Sequence, residues 1–274
     1  MKPAQMDRTP FADLDRQPSE MTAMLIAALE EMGRHPEIRR VRRTALTALR
    51  PAPGSRLLDA GSGGGDVARW LAAEVGPGGE VIAMDYSAAT TAAAVQRHDG
   101  SNVRYATGDV SAIDLPSDSF DGVWCERVLQ HVDDADAAIA ELIRVTRAGG
   151  RVCLVDTDWA SLAFDGVPLR LAETVIADMH GRLTPRQRDM GRTLRRRLVT
   201  AGLLDVAATP VTCLFDTPAS AAVVLPMVNP MVPAEVWMTP PGVREEWLAE
   251  VDAAGARGDF LAVLTIWVVT GTVG

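Results

Sequence analysis

The residues best equipped for chemistry lie in the stretch RLLDAGSGGGD, Arg56 to Asp66, where Gly61, Gly63, Gly64 and Gly65 follow an apolar run closed by Asp59. A strand that runs into glycines just before a helix lets the backbone approach a ligand closely and aims helix N–H groups at its polar end. Nucleoside cofactors of several kinds use that geometry. A dinucleotide fingerprint starting at Gly61 requires glycine or alanine at position 66, and the chain has Asp66 there. A carboxylate facing a pyrophosphate is electrostatically unfavourable, and Asp59 beside the loop suits a ligand with a cationic end. Lys2 is the only lysine, which removes Schiff-base chemistry and the phosphate-cradling GxxxxGK[ST] loop by inventory.

The elements that must position this loop follow a regular rhythm. Short β-type runs alternate with helical stretches: RLLDA then DVARWLAAEV, EVIAMD then SAATTAAAVQRH, VRYATGD, and FDGVWCE then DDADAAIAELIRVT, with GGRVCLVDTD after them. That alternation predicts a parallel sheet covered on both faces. Asp133 or Asp134 is the expected N-cap of the helix ending in RAGG, whose glycines should stop it before the next strand. Upstream, residues 20–50 read as two amphipathic helices broken near GRHPEI, a candidate lid. Beyond Asp158 two helices, a strand LLDVAATPVTCLF, a proline-interrupted insertion at about 216–259 and a last strand DFLAVLTIWVVTG are expected.

Composition narrows the function classes further. With 274 residues, 47% of them hydrophobic, the chain can bury a sizeable core. Its 27 basic and 36 acidic residues leave a net charge of −9, which repels polyanions, so no nucleic-acid partner is expected. No run of 18 apolar residues occurs and the first residues lack the pattern of a signal peptide; the expectation is a cytoplasmic protein without a membrane partner. Cys125, Cys153 and Cys213 are far apart and odd in number, which fits reduced, buried thiols and offers no metal cluster.

LLDAGSGGGD resembles the first motif of class I S-adenosylmethionine methyltransferases, and four further motifs follow in order over roughly residues 55–157. VIAMDYS, ATGDVSAIDLP, FDGVWCERVLQHVDD and LIRVTRAGGRVCLVD match the segments of strands two to five, closest to ubiquinone-type C-methyltransferases and small-molecule natural-product methyltransferases. The resemblance implies an α/β, Rossmann-like, seven-stranded and mostly parallel sheet with an antiparallel last strand. Residues 1–50 would form a helical cap, and 51–274 the methyltransferase domain with its lid insertion.

It also implies the cofactor, S-adenosylmethionine, with S-adenosylhomocysteine as product and no metal. Asp59, Gly61, Ser62 and Gly63 would hold its methionine end. Asp85 would accept both ribose hydroxyls, Asp109 would sit near the adenine amino group with Val110 supplying backbone, and Glu126 and Arg127 would contact methionine. Tyr86 either stacks on adenine or is only a turn residue. His131 is a candidate base or a cofactor contact, and Asp156 and Asp158 could face an acceptor; a metal there would need a third ligand that the sequence does not provide. The arginines between 186 and 197 read as a solvated helix face. Met227, Met231, Trp237 and Met238 could form an adaptable acceptor wall or simply core. The expected activity is methyl transfer to a small-molecule acceptor, an O-methylation in secondary metabolism. C- or N-methylation, and a scaffold or cyclase that binds the cofactor without transfer, are the alternatives. Pairing into a homodimer stays open.

Overall fold

The computed structural model describes residues 14–17, 19–232 and 241–274. Trp237 and Met238 lie outside them, as does the side chain of Arg186. Seven strands form one sheet in the order β3-β2-β1-β4-β5-β7-β6. They are β1 Arg56–Ala60, β2 Glu80–Asp85, β3 Val103–Thr107, β4 Phe120–Glu126, β5 Thr146–Asp165, β6 Leu204–Phe215 and β7 Leu261–Thr272. β1 to β5 pair in parallel, while β7 runs antiparallel to both β5 and β6. The expected seven-stranded α/β sheet is the observed one.

Chain direction across the sheet reverses at β1. β2 and β3 lie to one side and β4 to the other, so the carboxyl ends of β1, β2 and β4 open onto a crevice where α/β folds bind ligands. Alternation along each strand sends side chains to opposite faces. Leu57, Val81, Trp124 and Cys153 enter one core layer, Leu58, Ile82, Val123 and Leu154 the other. Asp59 therefore shares a face with Leu57, and Glu126 with Trp124.

That face is covered by helix α2, Pro36–Leu49, which follows α1, Ser19–Arg34. Ile38, Val41, Ala45 and Leu49 recur every three or four residues and make the buried stripe of α2. Arg42 stands beside that stripe and is carried to the strand ends. Helices α3, Asp66–Val75, α4, Ala88–Gln96, and α5, Ala135–Val145, complete the nucleotide-binding half. Asp134, one of the two expected caps, accepts N–H bonds from Asp136 (3.0 Å) and Ala137 (2.9 Å).

One boundary differs from expectation. Gly149 and Gly150 do not stop α5; the helix ends at Val145, and both glycines fall inside β5. The stop comes from Thr146, whose N–H bonds Ile143 O and whose hydroxyl donates to Leu142 O at 2.7 Å. β5 also continues past Asp158 to Asp165, across a register shift, because Ala163–Asp165 pair with the start of β7.

The remaining helices are α6, Leu169–Arg182, α7, Pro185–Thr200, α8, Pro218–Val224, and α9, Pro241–Arg257, with a 3-10 turn at Pro226–Val228. α8 is tied to the first helices through His35, which caps α2 and whose Nε2 lies 2.9 Å from Ser220 Oγ. The three cysteines are buried and free. Among the described residues no helix is long and apolar enough to cross a membrane.

Candidate active site

The glycine loop is shaped by contacts on both sides. N–H groups of Gly61 and Ser62 donate to Met84 O at 2.7 and 2.9 Å, and Gly65 N–H donates to Ser62 O at 2.9 Å. Gly61 has φ +78°, and a Cβ there would lie 2.0 Å from Val128 Cγ2. Gly65, at φ +77°, backs onto Tyr105 in the same way, at 2.7 Å. Only glycine meets both demands, the left-handed backbone and the missing side chain.

Asp85 closes the loop from β2. Its carboxylate accepts N–H bonds from Gly63 (2.8 Å) and Ser87 (2.9 Å). Burial raises its pKa above the usual aspartate value, although both N–H bonds oppose the rise. Each oxygen keeps a lone pair for a further donor. Ser87 in turn meets a residue that sequence reasoning missed. Asp15 accepts bonds from Ser87 Oγ (2.6 Å), Ala88 N (2.8 Å) and Ala89 N (3.1 Å), so the segment before α1 caps α4.

Asp59 is 2% exposed, and its Oδ2 has no hydrogen-bond partner among the described residues. Burial first, and then the neighbouring Glu126, push its pKa up to about 8 against the attraction of Arg42. A buried, unpartnered carboxylate oxygen at the wall of a cavity fits a ligand cation, whose arrival would restore the ionised form. Glu126 is already paired: Arg42 Nε donates to its two oxygens at 3.1 and 3.0 Å, and Arg127 Nη2 lies 3.2 Å away. Burial alone would raise Glu126, but the two guanidiniums outweigh it and hold the carboxyl below its usual range. Arg42 was missed at the sequence level, since nothing in a helical arginine announces that its helix lies over the strand ends.

The carboxylates Asp15, Asp59, Asp85 and Glu126, Arg42 and the loop glycines Gly61, Gly63 and Gly64 face one cavity of about 1190 Å3. Asp59, Gly61, Ser62, Gly63, Asp85, Tyr86, Asp109, Val110, Glu126, Arg127 and His131 line it, so the structure brings together eleven of the twelve sequence-chosen residues. Tyr86 lines it as well and is 62% exposed. Asp109 accepts Ser111 N–H at 2.8 Å in a tight turn before the buried Val110.

Asp158 is the exception. It does not line the cavity; its Oδ2 accepts Arg192 Nε at 2.7 Å and Trp267 Nε1 at 3.3 Å. A carboxylate held by α7 and β7 away from the cavity is placed for structure, which corrects the expectation that it faces an acceptor. Asp156 lies behind the wall too, pushed up to about 7 by burial against the N–H bonds of Thr157 (2.8 Å) and Gln130 (3.2 Å). Among the described residues no cluster of His, Cys, Asp or Glu could hold a metal ion.

Beyond the loop the cavity changes character. Met21 and Met24 of α1, Val175 and Met179 of α6, Met227 and Met231 of the insertion, and Leu264 and Ile266 of β7 form an apolar wall, while Met32 of α1 reaches Arg127.

The geometry agrees with what comparison with known proteins gives. A model described as a methyltransferase domain matches residues 58–154. Over 246 residues, 89% of the chain, the sequence is 30% identical to an uncharacterized 37.1 kDa protein in transposon TN4556 of Streptomyces fradiae, 70% of whose length is covered. The chain belongs to the class I S-adenosylmethionine-dependent methyltransferases. The methyltransferase is also 29% identical over 154 residues to a demethylmenaquinone methyltransferase of Renibacterium salmoninarum, a match covering 53% of this chain and 62% of that one. In fold it is similar to the Haemonchus contortus phosphoethanolamine N-methyltransferase 2 solved with S-adenosyl-L-methionine. There the TM-score is 0.62 at 20% identity, covering 96% of this chain and 60% of the other. The cofactor of this methyltransferase is S-adenosylmethionine, and the unpartnered Asp59 oxygen and the glycine cradle fit its cationic end and its close-packed backbone contacts.

Proposed function

We propose that this methyltransferase delivers its methyl group to a small, largely apolar acceptor, with an oxygen as the first candidate for the methylated atom and carbon or nitrogen as the alternatives. The observation that carries this reading is the continuity of one cavity from the glycine loop to a methionine-rich wall. Thioether side chains are flexible and polarisable, and they suit an apolar ligand of irregular shape. The relative named for demethylmenaquinone supports the same acceptor class. We assign the N-terminal helices within residues 1–50 and the 216–259 insertion as cap and lid, because both supply apolar wall outside the nucleotide-binding half.

When bound, the cofactor supplies a methyl group on cationic sulfur that leaves a neutral thioether on transfer. The protein's part is position and dryness. Asp59 holds the cationic end, Asp85 takes the ribose hydroxyls on the lone pairs left by Gly63 and Ser87, and Tyr86 covers the adenine side. The acceptor is oriented by the far wall and kept from water, which is where most of the acceleration must come from when the leaving group is already good. A base is needed only if the acceptor must lose a proton, and His131, which lines the cavity, is the candidate to take it.

Calorimetry with S-adenosylmethionine and S-adenosylhomocysteine, followed by transfer of labelled methyl to a panel of phenols, hydroquinones and amines, tests this. Binding of both ligands with methylation of an apolar phenol or hydroquinone is the expected result. If neither ligand binds at millimolar concentration while a nicotinamide dinucleotide does, the assignment is wrong. Binding without transfer to any acceptor would favour the non-transferring alternative.

A further inference from the structure

We infer that Gln130 is the residue that reads the acceptor, offering a fixed pair of neutral N–H donors to a carbonyl or phenolic oxygen carried on an apolar skeleton; this rests on the methyl-acceptor reading of the cavity. Gln130 is 6% exposed and lines the cavity in the loop after β4, two residues beyond the Val128 side chain that covers Gly61. Its backbone is pinned, since its N–H donates to Asp156 Oδ2 at 3.2 Å. Its side chain is pinned as well. Trp159 Nε1 lies 3.1 Å from Gln130 Oε1. An indole N–H can only donate, so the amide atom facing it must be the oxygen, and the orientation of the amide is settled by chemistry.

The two N–H groups of the amide nitrogen are then left over: no hydrogen bond to a described residue uses them, and the nitrogen is not sealed off but open to the cavity. A side chain whose backbone and oxygen are both held cannot swing away to find water. An apolar ligand that fills a cavity also lined by Met179, Met227, Leu264 and Ile266 strips these donors of water and leaves them unmatched, so a ligand that brings an acceptor oxygen gains more there than one that does not. The donors are neutral. They match a carbonyl or phenol better than a carboxylate or phosphate, for which a guanidinium is the stronger partner. Of the guanidiniums lining the cavity, Arg42 and Arg127 are both paired with Glu126, although Arg127 Nε has no partner among the described residues, and Arg16 comes from the segment before α1. Trp159 is thus a positioning residue acting through Gln130.

The probes are 1-tetralone and tetralin, which share a bicyclic skeleton and differ by one carbonyl oxygen. Their binding to the protein, with and without saturating S-adenosylhomocysteine, is read by quenching of tryptophan fluorescence. Wild type should hold 1-tetralone about tenfold tighter than tetralin, and Gln130→Leu should bring the two within about twofold. Affinity for S-adenosylhomocysteine should stay unchanged. Trp159→Phe, which frees the amide, should give an intermediate ratio, and Gln130→Met serves if the leucine variant does not fold. An unchanged ratio in a folded Gln130 variant, no preference in wild type, or no binding of either probe would overturn the inference. Failure of S-adenosylhomocysteine to bind would instead sink the cofactor reading, and the ratio measured without cofactor would still decide the role of Gln130.

Discussion

The two halves of the cavity are built on opposite principles. The glycine-loop half, where we propose the cofactor binds, is made of backbone and short-range carboxylates at the ends of β1, β2 and β4, with turns held by hydrogen bonds such as Gly63 N–H to Asp85. The far half is made of side chains from α1, α6, the insertion and β7, brought together from well over 200 residues of sequence. The first is polar and fixed; the second is apolar and adaptable. A ligand common to a whole family can be met by backbone, whereas an acceptor peculiar to one protein must be met by side chains that vary freely.

Arg42 crosses that division, because helix α2 delivers it to Glu126 on the glycine-loop side. The pair is buried, with side chains 12% and 7% exposed, so Arg42→Met should leave Glu126 with Arg127 as its counterion and cost about 3 kcal/mol of stability, the lower end for a broken buried pair. Chemical denaturation measures it; a loss below about 1 kcal/mol would mean that α2 and the glycine-loop half are independent.

Next in size is Asp85→Ala, which removes the carboxylate proposed to accept two ribose hydroxyls. It should weaken S-adenosylhomocysteine binding by about 2 to 4 kcal/mol, roughly 30-fold to 1000-fold. His131→Ala should stay within about tenfold and affect turnover only if the imidazole serves as base. Isothermal titration on folded variants separates the two, and an Asp85→Ala constant within threefold of wild type removes Asp85 from the site.

A smaller effect follows from Asp59. Its folded pKa, about 8, lies above the unfolded value near 3.9, so in the ligand-free protein the group stabilises most at low pH. That contribution falls as pH rises from about 4 to 8. A cationic ligand favours the ionised form. Cofactor affinity should therefore rise by up to about tenfold per pH unit between about 6 and 8, with proton release that calorimetry in two buffers detects. Asp59→Asn should remove that part of the slope, and an identical pH profile in wild type and variant would refute the reading.

The smallest expected change sharpens the contrast from the other side. Met231 is 83% exposed at the far wall, and Met231→Ala should leave cofactor affinity within about twofold while altering the Michaelis constant of an apolar acceptor. A larger effect on the cofactor would show the halves to be coupled.

The strand and helix order and the glycine loop were legible from local facts: alternation with a period of two, stripes with a period near 3.6, and glycines where the backbone must turn left. The positions of Asp85 and Asp109, which line the cavity, came from the family resemblance instead. The sequence misplaced the end of α5, where a threonine hydroxyl rather than Gly149 and Gly150 makes the stop. It also sent Asp158 to the acceptor, whereas α7 and β7 claim it through Arg192 and Trp267. No periodicity foretold that Arg42 meets Glu126, that Asp15 caps α4, or that Trp159 fixes the amide of Gln130. The first two contacts join residues more than 70 positions apart and the third joins 29. Hydrophobic pattern determines which face of an element is buried, but the partner met across that face depends on how whole elements pack, and only the tertiary structure decides that.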